Sequence, residues 1–228
     1  VMITGALQKL GWWALDYVYA VERQVRAAFS RAEAGSYLSG DGAPVVIIPG
    51  VYEPWRFMLP LIEAIHENGH PVHVLEPLGF NHRPVPDAAE HVAAYLRAHD
   101  LTDVLLVTHS KGGLVGKFAM SFGDSAERIA GMLAIATPFA GSRYARAMAV
   151  SSLRIFSPSD ATILALARES DANARIVSVF GRFDPHIPDG SVLELARNIE
   201  LPTGGHFRIL THPGILRGFA VLKELTGA

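Results

Sequence analysis

The sequence predicts an α/β chain: a doubly wound, mainly parallel sheet of about six strands, with an added N-terminal helix and a short lid segment. Three observations carry this. Short runs of consecutive apolar residues, such as Val45-Val-Ile-Ile48 and Val104-Leu-Leu-Val107, suit strands buried on both faces of a parallel sheet. Stretches with apolar residues at i, i+3 and i+4 separate these runs, so strands and helices alternate. One run leads through Thr108-His109-Ser110-Lys111-Gly112 into Leu114, Val115, Phe118 and Ala119 at helical spacing, which reads as strand, sharp turn and helix.

In chain order, residues 2 to about 32 read as one long helix. Ile3, Leu7, Leu10, Ala14, Tyr17, Val18, Val21, Val25 and Phe29 form an apolar stripe, and Lys9, Asp16, Glu22, Arg23 and Arg26 interleave elsewhere. Glycines at 35, 40 and 42 and Pro44 then break the chain. Strands follow at 45–48, 72–75, 104–107, 132–136, 176–180 and, briefly, 199–201. Helices are expected over 53–68, 87–99, 111–121 and 213–225, the last starting at Pro213 with Thr211 or His212 as cap. Residues 1–34 thus form an amphipathic helix on or beside a core of residues 35–228, within which about 139–174 is a broken, apolar lid or cap segment.

Composition narrows the function. The chain has 228 residues, half of them hydrophobic and 18% charged, with a net charge of −2. That is a globular composition with no basic surplus for nucleic acid. There are no cysteines, so disulfides and thiolate chemistry are excluded. No G-x-G-x-x-G or P-loop occurs, and no histidine spacing makes a convincing metal set, so no cofactor and no metal are expected. No apolar run reaches the ~18 residues of a membrane span. A cytoplasmic or peripherally membrane-associated location is expected, with secretion left open if a signal has been removed.

The turn at Ser110 has the layout of a nucleophile elbow. The strand lifts the hydroxyl above the sheet's C-terminal edge, Gly112 and Gly113 allow close approach, and the helix start offers N–H groups to a developing oxyanion. Taken alone, Ser110 is equally well a helix N-cap, and Thr108 stands where a glycine is usual. A serine nucleophile also needs a general base and a group to orient it. Gly181-Arg-Phe-Asp184-Pro-His-Ile-Pro188 follows the fifth strand and Gly204-Gly-His206-Phe the sixth, in the order serine, acid, histidine.

From about Pro44 onward the chain resembles the α/β-hydrolase superfamily, bacterial esterase/lipase type. The resemblance rests on Ile47-Ile-Pro-Gly50, Thr108-His-Ser-Lys-Gly-Gly113, Ala136-Thr-Pro-Phe-Ala-Gly141, the Asp184 segment and Gly205-His-Phe-Arg-Ile-Leu210. Thr108 and Lys111 depart from the usual elbow, and residues 1–43 have no counterpart in compact members.

The resemblance implies Ser110 as nucleophile, His206 as base and acid, and Asp184 as the orienting carboxylate, with His212 and Asp189 as rivals. The oxyanion donors would be the backbone N–H of Lys111 and of Val51, with Tyr52 as runner-up. The Lys111 side chain is expected to pair with Glu76 or to lie in solvent, and His109 to support the site from behind. Candidate pocket residues are Tyr52, Trp55, Phe139, Tyr144, Met148, Phe156 and Ile187, with Phe57 and Met58 on the other wall. The implied activity is hydrolysis of carboxylic esters with an apolar acyl chain through an acyl-enzyme. The alternatives are acyl transfer on the same fold and a non-catalytic binding protein. A small-molecule or lipid ester is the expected partner. The stripe around Trp12, Trp13 and Tyr17 is expected to meet a second subunit or a lipid surface, and removal of residues 1–34 to spare hydrolysis of a soluble ester.

Overall fold

A computed structural model describes residues 2–147 and 150–228. Its centre is a six-stranded sheet in the order β2-β1-β3-β4-β5-β6, with every neighbouring pair parallel. The strands are β1 (Val45–Ile48), β2 (Val72–Val74), β3 (Val104–His109), β4 (Ile129–Ile135), β5 (Ile176–Phe183) and β6 (Arg197–Gly204). The helices are α1 (Met2–Phe29), α2 (Leu59–Glu67), α3 (Val85–Ala98), α4 (Lys111–Ser121), α5 (Ser151–Arg154), α6 (Ala161–Arg168) and α7 (Gly214–Thr226).

The period-2 alternation of strand side chains splits the core in two. Val46, Ile48, Val104 and Leu106 point to one face, where they meet Val92 and Leu96 of α3, Leu114 and Val115 of α4, and Ile163 and Leu166 of α6. Val45, Ile47, Leu105 and Val107 point to the other and meet Leu61, Ile62 and Ile65 of α2 and Ile215, Phe219 and Leu222 of α7. Burial on both faces is why these strands read as unbroken apolar runs.

Three elements differ from expectation. The helix expected over 53–68 is a 3-10 turn at Trp55–Met58 followed by α2, which opens with Pro60 in its first turn, where the missing N–H does no harm. β6 is longer than its apolar run because it is an edge strand, exposing Arg197, Asn198 and Glu200. β3 continues through Thr108 and His109. The Thr108 hydroxyl donates to Leu133 O at 3.1 Å, so the residue that looked awkward for a tight turn serves as the end of a strand.

The largest difference lies in α1. At 1.5 Å per residue its 28 residues span about 42 Å, and the side that packs mixes Trp12, Tyr19 and Ala27 with the polar Asp16 and Arg23. Asp16 is fully buried, Trp12 stacks on Phe183 with Lys9 over the same ring, and Arg23 donates to the carbonyls of Phe57 and Arg56 at 3.2 and 3.1 Å. Much of the apolar stripe faces outward, with Leu7 64%, Val18 64% and Phe29 83% exposed, while Val21 and Val25 border the cavity described below. Trp12 therefore packs within its own domain, while Trp13 and Tyr17 stay 45% and 40% exposed. Among the described residues no helix is long and apolar enough to cross a membrane.

Candidate active site

Parallel strands deliver their C-terminal ends to one edge of the sheet, and the loops leaving β1, β3, β5 and β6 meet there. Ser110 joins β3 to α4 with φ 52° and ψ −119°, a strained conformation for a residue with a side chain. Packing enforces it. A Cβ on Gly112 would run into the Ile48 carbonyl, and one on Gly113 into the Thr137 side chain. Only glycine lets the turn sit this close to β1 and to the loop after β4.

His206 follows β6, and its Nε2 lies 2.9 Å from Ser110 Oγ. Its Nδ1 lies 2.7 Å from Asp184 Oδ2. A carboxylate only accepts, so Nδ1 carries the hydrogen and Nε2 is the acceptor facing the serine hydroxyl. The other Asp184 oxygen takes the backbone N–H of His186 at 2.8 Å and of Ile187 at 3.1 Å, which fixes the carboxylate in the turn after β5. Burial alone would raise the Asp184 pKa, but His206 beside it and these donors hold it below the ordinary carboxylate value. Burial would likewise lower His206, yet Asp184, helped by Glu53 and Asp16, raises it above the ordinary histidine value. His186 is driven down to about 4 by burial and by His206, so it is a neutral ring at pH 7.

The rivals are placed elsewhere. His212 Nδ1 accepts the Gly214 N–H at 3.0 Å and caps α7. Asp189 accepts the Arg143 backbone N–H at 2.9 Å and the guanidinium Nε at 2.8 Å, tying the segment after β4 to the loop after β5.

In the loop after β1, the Gly50 N–H goes to Glu53 Oε2 at 2.8 Å and the Tyr52 N–H to Phe80 O at 2.7 Å. The latter removes Tyr52 as an oxyanion donor. Val51 N–H has no acceptor among the described residues, and Val51 borders the cavity beside Ser110. Lys111 is the first residue of α4, so its N–H has no acceptor within the helix. The Lys111 side chain is neither solvated nor paired with Glu76. It is fully buried and donates to Asn81 O at 2.6 Å and to Arg83 O, and burial lowers its pKa to about 8. Asn81 in turn donates to Pro49 O at 2.7 Å, so the lysine braces the loop after β2 against the loop after β1. Its charge suggested a carboxylate partner or solvent, whereas backbone carbonyls take it up.

A cavity of about 480 Å³ opens over Ser110 and His206. Of the expected lining, Tyr52, Phe156 and Ile187 are present, with Phe57 from the other wall. Trp55 is core instead, edge-on to Tyr37, and Phe139 is buried beneath the segment that follows it. Tyr144 borders a separate cavity beyond Asp184 with Lys9 and Arg182. Met148 lies outside the described residues. The wall that was not foreseen belongs to α1, which supplies Ala20, Val21, Gln24 and Val25.

Two supports were also missed. Asp16 Oδ2 accepts the His206 N–H at 2.8 Å, and its Oδ1 accepts those of Phe207 and Arg208, each at 2.8 Å. Glu53, expected to open a helix, instead bonds His109. Its position just beyond a strand-end glycine was the only signal. For Asp16 there was none, because a lone acid in an amphipathic helix reads as a solvated face. Among the described residues no group of three or more His, Cys, Asp or Glu is arranged to hold a metal.

No family model and no curated sequence matches the chain. Solved structures do. A Bacillus licheniformis lipase in mature form is similar at TM-score 0.63 and 17% identity, over 86% of this chain and 100% of that one. A monoacylglycerol lipase from Paleococcus ferrophilus gives 0.59 and 16%, over 81% and 94%. The mouse alpha/beta hydrolase domain-containing protein 10 gives 0.57 and 16%, over 82% and 91%. Likeness at these identities speaks to architecture, and with the six parallel strands and their order it establishes that this chain has the α/β-hydrolase fold.

Proposed function

We propose that the protein is a serine carboxylic ester hydrolase, esterase- or lipase-like, acting on esters with an apolar acyl chain. The observation that carries this reading is the unbroken chain from Ser110 Oγ through His206 to Asp184, at 2.9 and 2.7 Å, at the floor of a largely apolar cavity. Lipases are among the solved structures of similar fold, which adds weight to it.

In this reading Ser110 attacks the ester carbonyl while His206 Nε2 takes its proton. Asp184 stabilises the imidazolium that forms and keeps Nδ1 protonated. The N–H groups of Val51 and Lys111 receive the oxyanion, aided by the positive end of α4. His206 then gives its proton to the leaving alcohol. In the second half it takes a proton from water as the oxygen attacks the acyl carbonyl, and returns it to Ser110 Oγ as the serine–acyl bond breaks and the acid leaves. Phe57, Phe156, Ile187, Val21 and Val25 would hold the acyl chain, in a volume within the range of small-molecule pockets.

A fluorophosphonate probe and a panel of p-nitrophenyl esters of increasing chain length test the reading. Covalent labelling should map to Ser110, and Ser110→Ala should lower turnover by ~10⁴-fold or more while the fold survives. Activity retained within about tenfold would sink the assignment. Added alcohol that diverts the acyl group from water would reassign the reaction to acyl transfer.

A further inference from the structure

Asp16 lies on α1, 190 residues before the histidine it touches. Three successive backbone N–H groups, those of His206, Phe207 and Arg208, converge on its carboxylate. Such convergence is how a backbone builds an anion site, and here the anion is a side chain with no exposed surface. A carboxylate buried this completely is tolerable only with its donors in place, so the contact fixes helix and loop to each other. The loop is shaped for the approach. Gly205 has φ +113°, and a Cβ there would lie 2.5 Å from Asp16 Oδ1. The opposite end of the histidine's backbone is held as well, because His206 O accepts from His109 Nε2 at 2.9 Å. α1 also reaches the acid loop, where Tyr17 Oη lies 3.2 Å from His186 Nε2.

We propose that Asp16 is a positioning residue for His206, setting the place of its backbone so that Nε2 meets Ser110, and that α1 is therefore a working part of the active site. The proposal rests on reading Ser110, His206 and Asp184 as the reacting set. It also says why an acidic residue of α1 is turned inward while Leu7, Val18 and Phe29 are left exposed. General-base geometry is unforgiving, and a displacement near 1 Å costs roughly 100-fold.

The test uses the full chain with Asp16→Ala and Asp16→Asn. Asparagine keeps one acceptor oxygen and the shape but loses the charge. Active sites are counted by fluorophosphonate titration, so misfolded protein does not enter the rates. Asp16→Ala should lower kcat on p-nitrophenyl butyrate by roughly 100-fold with KM little changed. Asp16→Asn should lie between, and its acid limb should move to lower pH, since one negative charge near His206 is gone. The groups facing that ring are Asp184, Glu53, His109, His186 and Asp16, and only the last is altered. The downfield proton resonance of His206 Nδ1–H, read by NMR, should shift or broaden in both variants. If the alanine variant does not fold, the asparagine variant decides. Unchanged kcat per active site, pH midpoint and resonance would reduce Asp16 to a structural anchor and overturn the proposal. If the wild type neither hydrolyses esters nor labels while the resonance still moves, the functional reading fails and the positioning stands.

Discussion

Glu53 and His109 meet at 2.9 Å between Oε2 and Nδ1, with side chains 2% and 0% exposed. The ring's other nitrogen lies 2.9 Å from the His206 carbonyl, and the same Glu53 oxygen takes the Gly50 N–H. Through one buried pair the loop carrying Val51 is joined to the backbone of His206. Glu53→Ala would leave His109 Nδ1 and the Gly50 N–H, both buried, without their partner. Leaving a buried polar group unpaired costs about 1–3 kcal/mol, so the two together cost about 2–6 kcal/mol, which in a domain of this size lowers Tm by roughly 4–24 °C. Calorimetry reads it. A melting point within about 2 °C of wild type would mean the pair bears little of the structure.

The two carboxylates after β5 should separate cleanly under the conservative change. Asp184→Asn removes the acceptor that keeps hydrogen on His206 Nδ1 and should cost ~10⁴-fold in kcat. Asp189→Asn weakens a contact with the exposed Arg143 side chain, which solvent screens, and should leave kcat within a few-fold. The histidines divide likewise. His206→Ala should match Ser110→Ala, whereas His212→Ala loses the acceptor for the Gly214 N–H and about 1 kcal/mol of stability. If the effects of either pair are exchanged, the assigned residue is the wrong one.

What could be read from the sequence was whatever local rules place. Apolar runs marked the strands, and Ser110, Asp184 and His206 stood directly after strand ends, so their meeting follows from parallel topology. What could not be read depended on which way a helix face turns. In α1 the hydrophobic pattern pointed to the wrong face for packing, because Asp16, Trp12 and Arg23 find partners that only the folded loops create. Lys111 was opaque for the same reason. Its acceptors are carbonyls of Asn81 and Arg83, and a carbonyl acceptor leaves no trace in residue type. Trp55 and Phe139 were misplaced because large apolar residues beside a site fill core as readily as cavity.

The pH dependence should have one acid limb, placed high. His206 acts as a base only when neutral, and its pKa is raised above the ordinary value of 6.5. kcat/KM should therefore fall as pH drops through a midpoint above 6.5, and level off on the alkaline side. His186, held down to about 4, stays neutral across that range and adds no second step. Asp184, held below the ordinary carboxylate value, stays ionised. A pH–rate profile on a soluble ester measures this. A midpoint clearly under 6.5 would show that the carboxylates around His206 do not dominate its burial.

The last prediction reverses what the bare sequence suggests about residues 1–34. A compact core that can begin at Pro44 invites the view that the N-terminal helix is dispensable for soluble substrates. The structure gives α1 three duties at the site. Asp16 holds the His206 loop, Gln24 Nε2 donates to Tyr52 O at 2.8 Å beside the Val51 turn, and Ala20, Val21 and Val25 wall the cavity. Its removal should cut hydrolysis of a soluble short-chain ester by roughly 100-fold or more, or prevent folding outright, since the donors of residues 206–208 lose their common acceptor. Leu7, Val18 and Phe29, on the outward part of the stripe, have none of these duties. Leu7→Gln, Val18→Gln and Phe29→Gln together should leave turnover of the same ester within about twofold and stability within about 1 kcal/mol, because all three side chains are mostly exposed already. The pairing of the two experiments is what decides. A truncated chain that folds and hydrolyses the soluble ester at the wild-type rate would make α1 an accessory. Stripe substitutions as damaging as the truncation would mean that α1 acts through its outer face, and that the inward contacts described here do not matter for catalysis.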